Sequence, residues 1–375
     1  MLKRTAILSV LACLSLMGSA QPLSIPKSPR CLPDSSTLGV CLDGSSYFYN
    51  YEYFKPFAKG YTQPGFALIP TIRGNLGSRL LFGAGVHLNK YWGTKRLVES
   101  QPVMIARCEA LKNFFIQIGT IENHDGHMLT DILYNPLHKV DFRPENGLQL
   151  RYYGRKFFFD TWVSWENYIS QGDLDQERMT AGGSFLLRLT PDQSRLEVIL
   201  PFQAVYKHIG GQINDKSDTS KRVQTFSNIS LSFQVAYRYN ERGGKVGLLF
   251  QPIKFNGDFG PKGDMSLKGG RAISSTLFVS NDFFDLKVGS LFGKMIYPVL
   301  GDPIYGSMDV DLFPIAESRK VFFGSFDYHK EVYPGVLIRF DTGCYLTYSY
   351  SGIDYFYGVG LIYNFEGQLL PWSRR

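Results

Sequence analysis

Long runs of alternating apolar and polar residues constrain this chain more than any other feature of its sequence. Across 196–206 every even position is apolar, whereas Glu197 and Gln203 occupy odd positions. The same alternation recurs over 228–239 and over 354–366. Successive side chains of a β-strand point to opposite faces, whereas an amphipathic helix repeats about every 3.6 residues. These runs therefore predict β-strands that have one apolar and one polar face.

The length of these runs points to strands that cross a membrane. Many contain about 10–13 residues; soluble strands average about 5–6, and a tilted strand needs about 9–11 to cross a bilayer. Only 19% of the residues are charged and 15% are aromatic. A mean hydropathy of −0.12 argues against a bundle of membrane helices. Aromatic residues near strand ends fit the interfacial girdles of membrane barrels: Trp162, Trp165, Tyr168, Tyr345, Tyr348 and Tyr350.

The connections between the strands predict a closed barrel. Short and long connections alternate from the second strand onward, and outer-membrane barrels have short periplasmic turns and longer extracellular loops. By this rule the strand that ends at the first short turn, near Asn75, runs toward the periplasm. A strand that runs the opposite way must therefore precede it, and it is expected within 46–59. The fold class is therefore all-β, a transmembrane antiparallel β-barrel of about 16 strands, although 14 or 18 would also be even. Soluble sandwiches alternate too, but their connections do not follow this rule. Strands are predicted to start near Tyr47, Gly65, Leu80, Val103, Phe114, Gly147, Phe157, Met179, Leu196, Phe226, Val246, Ala272, Leu286, Val321, Val336 and Asp354.

The N-terminus predicts export. Lys3 and Arg4 precede an apolar stretch, and small residues end at Ala20, as in a cleaved signal peptide. Cys13 raises a lipoprotein alternative, but bulky Leu11 does not fit that type of signal. We expect the cell outer membrane as the location, with both termini periplasmic. The predicted divisions are a signal peptide at 1–20, a periplasmic segment at 21–45, the barrel at 46–366 and a periplasmic tail at 367–375.

The end of the last alternating run resembles a known assembly signal. The segment 358–365 (GVGLIYNF) resembles the β-signal that the barrel-assembly machinery recognises, with Gly360, Tyr363 and Phe365 at its key positions, although a ten-residue tail follows it. Segments 53–60, 145–149 and 160–166 look like those of uncharacterised, porin-like outer-membrane β-barrels from Bacteroidota. This resemblance implies a barrel surrounded by outer-membrane lipid and lipopolysaccharide, and it implies no known activity.

Few sequence features suggest chemistry. Glu122, His124, Asp125 and His127 could hold a metal ion or act as acids and bases, but a polar loop is the simpler interpretation. Outer-membrane deacylases use a Ser/His pair on the outer surface of the barrel, and here no Ser follows a His at their short spacing. Segment 256–264 lacks the ligand ladder of a calcium loop. We therefore predict no catalytic, metal or cofactor site and no enzyme activity. The other histidines are isolated: His87, His138, His208 and His329.

The cysteines suggest no metal or redox centre. Cys31 and Cys41 lie close together in a segment rich in Pro, Ser and Gly. Outside the cytosol they could form a small disulfide loop, or they could be two unrelated thiols. Cys108 and Cys344 fall in strand-like segments and are expected to act as small apolar residues. Zinc-site spacing is absent from all of them.

The polar strand faces predict the lining of the barrel. A charge that faces lipid costs roughly 2–4 kcal/mol at mid-depth for Arg or Lys, so these residues should point inward. They could line an open pore, or they could pair across a closed lumen. The loops at 122–146 and 293–320 carry several apolar residues and are candidates for a constriction or lid. The predicted lumen-lining residues are Arg73, Arg107, Glu109, Gln149, Arg151, Asp160, Glu166, Glu197, Gln203, Lys207, Gln234, Arg238, Lys287, Arg339 and Asp341.

The function predicted from these features is a porin-like barrel that allows passive diffusion of small polar solutes. The first alternative is a non-enzymatic barrel subunit of an outer-membrane export, assembly or nutrient-uptake complex, with membrane-complex partners or as a homo-oligomer. An outer-membrane enzyme acting on lipid or glycan has the least support. Removal of the signal peptide with Lys3 and Arg4 would lower the net charge from +7 to +5, which is modest for a chain of this length, so no nucleic-acid partner is expected.

Overall fold

The computed structural model describes residues 23–29, 32, 36–170, 172–173, 175–210, 223–241, 243–257, 268–309 and 315–372. These residues form seventeen strands and one short helix, α1 (Leu137–Val140). Two 3-10 turns lie at Gly126–Met128 and Pro303–Tyr305. The strands are β1 (Ser36–Glu52), β2 (Tyr61–Leu76), β3 (Leu80–Tyr91), β4 (Glu99–Leu111), β5 (Phe114–Ile121), β6 (Glu145–Tyr153), β7 (Phe157–Asn167), β8 (Arg178–Arg188), β9 (Leu196–Ile209), β10 (Gln224–Leu231), β11 (Phe233–Arg238), β12 (Lys245–Gly257), β13 (Gly269–Ser280), β14 (Phe284–Lys294), β15 (Ser318–Tyr333), β16 (Val336–Thr347) and β17 (Asp354–Trp372).

The strands form one closed antiparallel sheet. Tyr47 on β1 lies opposite Gly360 on β17 and opposite Gly65 on β2, so the first strand joins the last to the second. β10 and β11 are two halves of one strand interrupted at Ser232, because both pair with β9 and β12. Counted as one, they give a barrel of sixteen strands. This confirms the predicted fold class and strand number.

Alternation along each strand separates an outer apolar face from an inner polar face. On β9, Phe202 is 45% exposed whereas Gln203 is fully buried at 0%. Two aromatic residues predicted for the interfacial girdles point inward instead: Trp162 is 3% exposed and Tyr345 is 8% exposed. Both find aromatic partners inside the barrel, Trp162 on the ring of His127 and Tyr345 on the ring of Tyr305.

The two ends of the barrel differ. One end has short turns, such as the link between β15 and β16, where Gly335 has a φ of +78° and a Cβ would lie 2.2 Å from the carbonyl oxygen of Asn364. We call this the short-turn end. The connections at the opposite end, the long-loop end, include the segments between β5 and β6 and between β14 and β15. Both ends follow the predicted alternation of connection lengths.

Two long connections fold into the barrel, and we call 122–144 and 295–309 the inner loops. Leu133 and Ile304 have 0% exposure and share one apolar cluster with wall residues of β9, β10 and β12–β15. The loops also contact each other, because the Asn135 amide donates to the Leu300 carbonyl at 2.8 Å. Asn228 on the wall holds the second loop, donating to the Tyr297 carbonyl at 2.8 Å. The segments predicted as a constriction therefore lie inside the ring of strands.

The barrel extends further along the chain than the sequence pattern indicated. β1 begins at Ser36, ten positions before the expected boundary, and β17 continues to Trp372. Gly44 and Ser46 interrupt the outward-facing apolar stripe of β1, which hides its first half from a search for alternation. Before β1, Leu23 packs inside the barrel near the short-turn end, and its amide and carbonyl both bond to the Gln234 side chain.

Two further observations complete the fold. None of the helices in the described residues is long and apolar enough to cross a membrane. Cys41 is buried on β1, and Cys31 lies outside the described residues, so their disulfide remains a prediction.

Candidate functional site

The predicted lumen-lining residues occupy the inner face of the wall, where most are partly or fully buried. Gln149, Arg151, Asp160, Glu197, Gln203, Gln234, Arg339 and Asp341 are buried. Arg73, Arg107, Glu109, Lys207, Arg238 and Lys287 are partly exposed, and Glu166 is exposed. The structure joins many of them to one another or to the inner loops as ion pairs rather than spreading them along an open channel.

Arg151 is the centre of the largest group of charges. Its guanidinium lies 2.9 Å from Asp160, 2.9 Å from Asp125 and 3.2 Å from Glu122. Arg107 reaches the other oxygen of Glu122 at 2.7 Å. Two of these carboxylates belong to an inner loop, so the pairs bind that loop to the wall. Burial strengthens such pairs and makes an unpaired member costly.

His127 sits beside this group with both ring nitrogens occupied by carboxylates. Nδ1 lies 3.1 Å from Asp160, Nε2 lies 3.3 Å from Glu145, and the ring stacks on Trp162 at 4.3 Å. Burial alone would lower the pKa of His127, but Glu145 and Asp160 raise it to about 9. A protonated imidazole has no free lone pair, so His127 can neither bind a metal ion nor accept a proton at neutral pH.

The rest of the sequence-predicted polar loop does not form a metal site. The His124 ring packs on Phe142 at 4.9 Å, and burial lowers its pKa. Within the described residues, the group with metal-compatible geometry is instead Asp285, Asp327 and His329 near the short-turn end. There, Arg339 already pairs with Asp327 at 2.6 Å and with Asp341 at 2.8 Å.

A second group of ion pairs connects side chains of β8, β9, β11 and β12 on the inner face of the wall. Glu197 accepts from Lys245 at 2.7 Å, from Arg238 at 2.9 Å and from Arg188 at 3.2 Å. Arg188 and Lys245 were not among the predicted residues. Lys287 on β14 reaches Asp131 of an inner loop at 3.0 Å. Paired charges and packed loops therefore fill much of the interior.

The outer face carries a different kind of pair. On β9 the even positions point to lipid, and His208 shares that parity with Phe202. Thr225 lies directly opposite on β10, and its hydroxyl is 3.2 Å from His208 Nδ1. Both residues flank the 210–223 connection at the long-loop end. The other five histidines lie on the inner wall or in an inner loop, so His208 alone presents its ring on the outer face.

A carboxylate borders the second nitrogen of this histidine. A Cβ at Gly210 would lie 3.5 Å from His208 Nε2 and 3.7 Å from Glu177 Oε2, so both atoms border the same small space. The Gly210 amide donates to the Glu177 carbonyl at 2.8 Å, and Trp165 Nε1 donates to Glu177 Oε1 at 3.1 Å. We call His208, Thr225 and Glu177 the outer triad. Thr225 and His208 form the hydrogen-bonded pair of hydroxyl and imidazole that can activate a nucleophile, and the Glu177 carboxylate lies near the ring without a hydrogen bond to it.

The sequence search missed the outer triad because it looked for a Ser at short spacing. Seventeen positions separate His208 from Thr225, and only the register of β9 with β10 brings them together. One signal was available: His208 falls on the even, lipid-facing parity of its run, where a polar side chain is unexpected.

The sequence profile of the lipid A 3'-O-deacylase-type family matches residues 30–371. The chain belongs to this family. The family takes its name from an enzyme, so the expectation that this chain is not an enzyme was wrong. The resemblance to outer-membrane barrels is confirmed, whereas its porin-like aspect gains no support from the family.

Solved structures share the fold. OmpTdeltaL8, the loop L8 deletion mutant of OmpT, an outer membrane protein of Vibrio cholerae, superposes with a TM-score of 0.52 at 10% identity, covering 88% of this chain and 100% of that chain. Outer-membrane expressed OmpT of Vibrio cholerae gives 0.51 at 8% identity, covering 90% and 100%. At such identities the likeness shows an outer-membrane barrel fold alone. No curated protein sequence matches this chain.

Proposed function

We propose that this chain is an outer-membrane hydrolase that removes a 3'-O-linked acyl chain from lipid A. The observation that carries the proposal is the pair of Thr225 and His208 on the lipid-facing surface, with 3.2 Å between Oγ1 and Nδ1. Membership of the lipid A 3'-O-deacylase-type family supports the same chemistry. An acyl-ester substrate embedded in the membrane can reach this surface without entering the barrel.

The outer triad supplies the parts of an acyl transfer. Thr225 Oγ1 attacks the ester carbonyl while His208 Nδ1 accepts the hydroxyl proton. The proton then passes to the sugar 3'-oxygen as the C–O bond of the ester breaks. Water, deprotonated by the same histidine, hydrolyses the acyl-threonine, which releases the fatty acid and restores the Thr225 hydroxyl. In this mechanism Glu177, which lies on the Nε2 side of the ring, stabilises the imidazolium that forms when His208 accepts the proton.

Among the described residues, the interior holds no hydroxyl and histidine paired as Thr225 and His208 are. His127 is held protonated between Glu145 and Asp160, so it is a poor base. The inner loops occupy the space that an acyl chain or a small solute would need. The same packing argues against the porin-like function expected from the sequence.

The orientation of the barrel suits this assignment. Outer-membrane barrels have short periplasmic turns and long extracellular loops. We therefore place the long-loop end outside the cell and both termini in the periplasm. His208 and Thr225 flank a long connection, so they would lie near the outer leaflet, where lipid A is found.

The test is acyl release from purified lipid A by the full-length protein in detergent, measured by mass spectrometry. Thr225→Ala and His208→Gln should each lower the rate by about 100-fold or more, the range expected for a lost nucleophile or base. Thr225→Ser should retain activity, because it keeps the hydroxyl.

The matched control is Thr161→Ala. Thr161 is also on the outer face, where its hydroxyl donates to the Gly182 carbonyl at 3.0 Å, and it lies outside the outer triad. Its variant should keep the full rate. If Thr225→Ala and His208→Gln release acyl chains as fast as the wild type, the assignment of the outer triad is wrong.

A further inference from the structure

A groove of about 540 Å³ runs across the outer face of β10 and β12–β15. Its floor is apolar, and its side chains are exposed like those of the rest of the outer face: Leu231 is 63% exposed, Ile273 47% and Phe292 47%. Its size lies within the range of about 300–1,000 Å³ that is usual for ligand sites. The lipid-facing surface is therefore indented here rather than flat.

Four cations border this groove at its long-loop side. Lys254, Arg271 and Lys294 lie side by side on β12, β13 and β14, because Arg271 is opposite both of the others. Lys320 on β15 is opposite Phe292. All four are exposed and have the outward parity of their strands. We call them the cation row.

The cation row is short of partners among the described residues. Lys294 pairs with Glu317 at 2.5 Å, and Lys320 lies over the Tyr348 ring at 4.6 Å. Lys254 and Arg271 have no ion pair with any described residue. Lys254 and Arg271 lie opposite each other on a lipid-facing surface, where like charges repel and lose hydration, so an anion from outside the chain would stabilise them.

Along the strands, the cations and the apolar residues of the groove lie at different levels, as the phosphates and acyl chains of a phosphorylated lipid do. On each strand the cation is nearer the long-loop end, and the apolar residue lies two positions closer to the middle of the strand, as with Arg271 and Ile273. Phosphates of an outer-leaflet lipid would lie at the level of the cations, and its acyl chains would lie at the level of the apolar floor.

The groove also adjoins the outer triad. Ile229, which lines the groove, lies opposite Lys254 and has the same outward parity on β10 as Thr225. Ile229 lies four positions after Thr225, which is about 14 Å along an antiparallel strand. A lipid with several acyl chains on a phosphorylated disaccharide is large enough to touch both places.

We propose that this groove is the substrate-anchoring site and that it binds the phosphorylated sugars of lipid A with the cation row and an acyl chain on the apolar floor. The proposal rests on the deacylase function proposed above, and it adds the part of the surface that selects and holds the substrate. The cations provide charge complementarity to phosphate, whereas the outer triad alone would accept any acyl ester.

The experiment measures binding in the Thr225→Ala background of the full-length protein in detergent, so that no substrate is consumed. Bisphosphorylated lipid A should bind more tightly than enzymatically dephosphorylated lipid A. Replacing Lys254, Arg271 and Lys320 by Gln should weaken binding of the bisphosphorylated form at least about tenfold, since each basic residue near an anionic lipid surface contributes separately. Binding of the dephosphorylated form should change little.

The matched control replaces Lys90, Lys95 and Arg96 by Gln. These three residues also lie at the long-loop end, but outside the groove, and their loss should leave lipid A affinity unchanged. The proposal is overturned if both triple variants bind equally well, if phosphate makes no difference, or if phosphatidylglycerol binds as tightly as lipid A. Acyl release, assayed with Thr225 intact, reports separately on the proposed function: binding without release would refute the hydrolase and leave the groove standing.

Discussion

His127 and His208 carry the same ring, but their surroundings give them opposite chemistry. His127 is enclosed, and carboxylates contact both of its nitrogens. His208 lies on the outer surface with a hydroxyl at Nδ1. The first histidine is held as a cation that binds an inner loop to the wall. The second has a hydroxyl beside Nδ1 on the surface that meets lipid, and the proposed hydrolase depends on this pair.

The protonation of His127 predicts a pH dependence of stability. The pKa of this group is raised from 6.5 to about 9 in the folded chain. A raised pKa contributes stability that is fully present below pH 6.5 and is lost as the pH rises through 9. We expect the wild type to lose up to about 3 kcal/mol over this window, and His127→Gln to lose much less. A folded barrel that has not been heated migrates in SDS gel electrophoresis as a compact form. The measurement is the temperature at which this form is lost, after incubation at pH 6 and at pH 10.

The control for this prediction is His208→Gln, which removes a histidine from the outer face and should keep the wild-type pH dependence. The indole of Trp162 provides a second readout, because it stacks on His127 at 4.3 Å. Its fluorescence should titrate near pH 9 in the wild type. An unchanged pH profile in His127→Gln would show that other groups control this window.

At the scale of elements, the inner loops explain why a sixteen-stranded barrel need not conduct. A barrel of this size leaves an aqueous interior unless loops occupy it. Here Leu133 and Ile304 bury themselves completely against the wall, and Lys287 holds Asp131 at 3.0 Å. The loops therefore behave as part of the core rather than as mobile lids.

This packing predicts the conductance of the protein. The wild type should show no steady channel in a planar bilayer. Replacing 128–141 by a short Gly/Ser linker should raise the conductance several-fold, because it removes an apolar wedge from the lumen. Shortening the exposed loop at 92–98 by the same approach is the control and should leave conductance unchanged. A wild type that conducts as well as the loop variant would contradict the closed interior.

The sequence was sufficient to predict the elements and not their side-chain partners. The strand starts after β1 followed from alternation to within a few residues, since one face of every strand meets lipid, whereas the first half of β1 was missed. The inward position of Trp162 was available from the alternation, because Trp162 has the same parity on β7 as Asp160, whereas its stacking partner His127 comes from an inner loop and could not be predicted. The outer triad was also hidden, since the distance from His208 to Thr225 is set by strand register rather than by spacing along the chain.

At the scale of the whole molecule, charge is sorted by position. Interior charges such as Arg151 and Glu197 are neutralised by partners within the chain. The outer face is mostly apolar and aromatic, and the cation row breaks this rule on four neighbouring strands at one end. The outer triad, proposed to be catalytic, and the proposed binding groove therefore both lie beside the long loops. Oligomeric state and partners within a larger complex remain predictions.

The placement of the outer triad and the groove requires the long-loop end to face outside the cell, and this orientation can be measured. Lys95→Cys lies in the exposed loop at 92–98, and Asp282→Cys lies in the exposed turn between β13 and β14. A membrane-impermeant maleimide should label Lys95→Cys on intact cells. It should label Asp282→Cys only after the outer membrane is permeabilised. Labelling of the wild type, which measures the reaction of its own cysteines, is subtracted in both cases. If Asp282→Cys but not Lys95→Cys were labelled on intact cells, the barrel would have the opposite orientation, and the outer triad would lie away from the leaflet that contains lipid A.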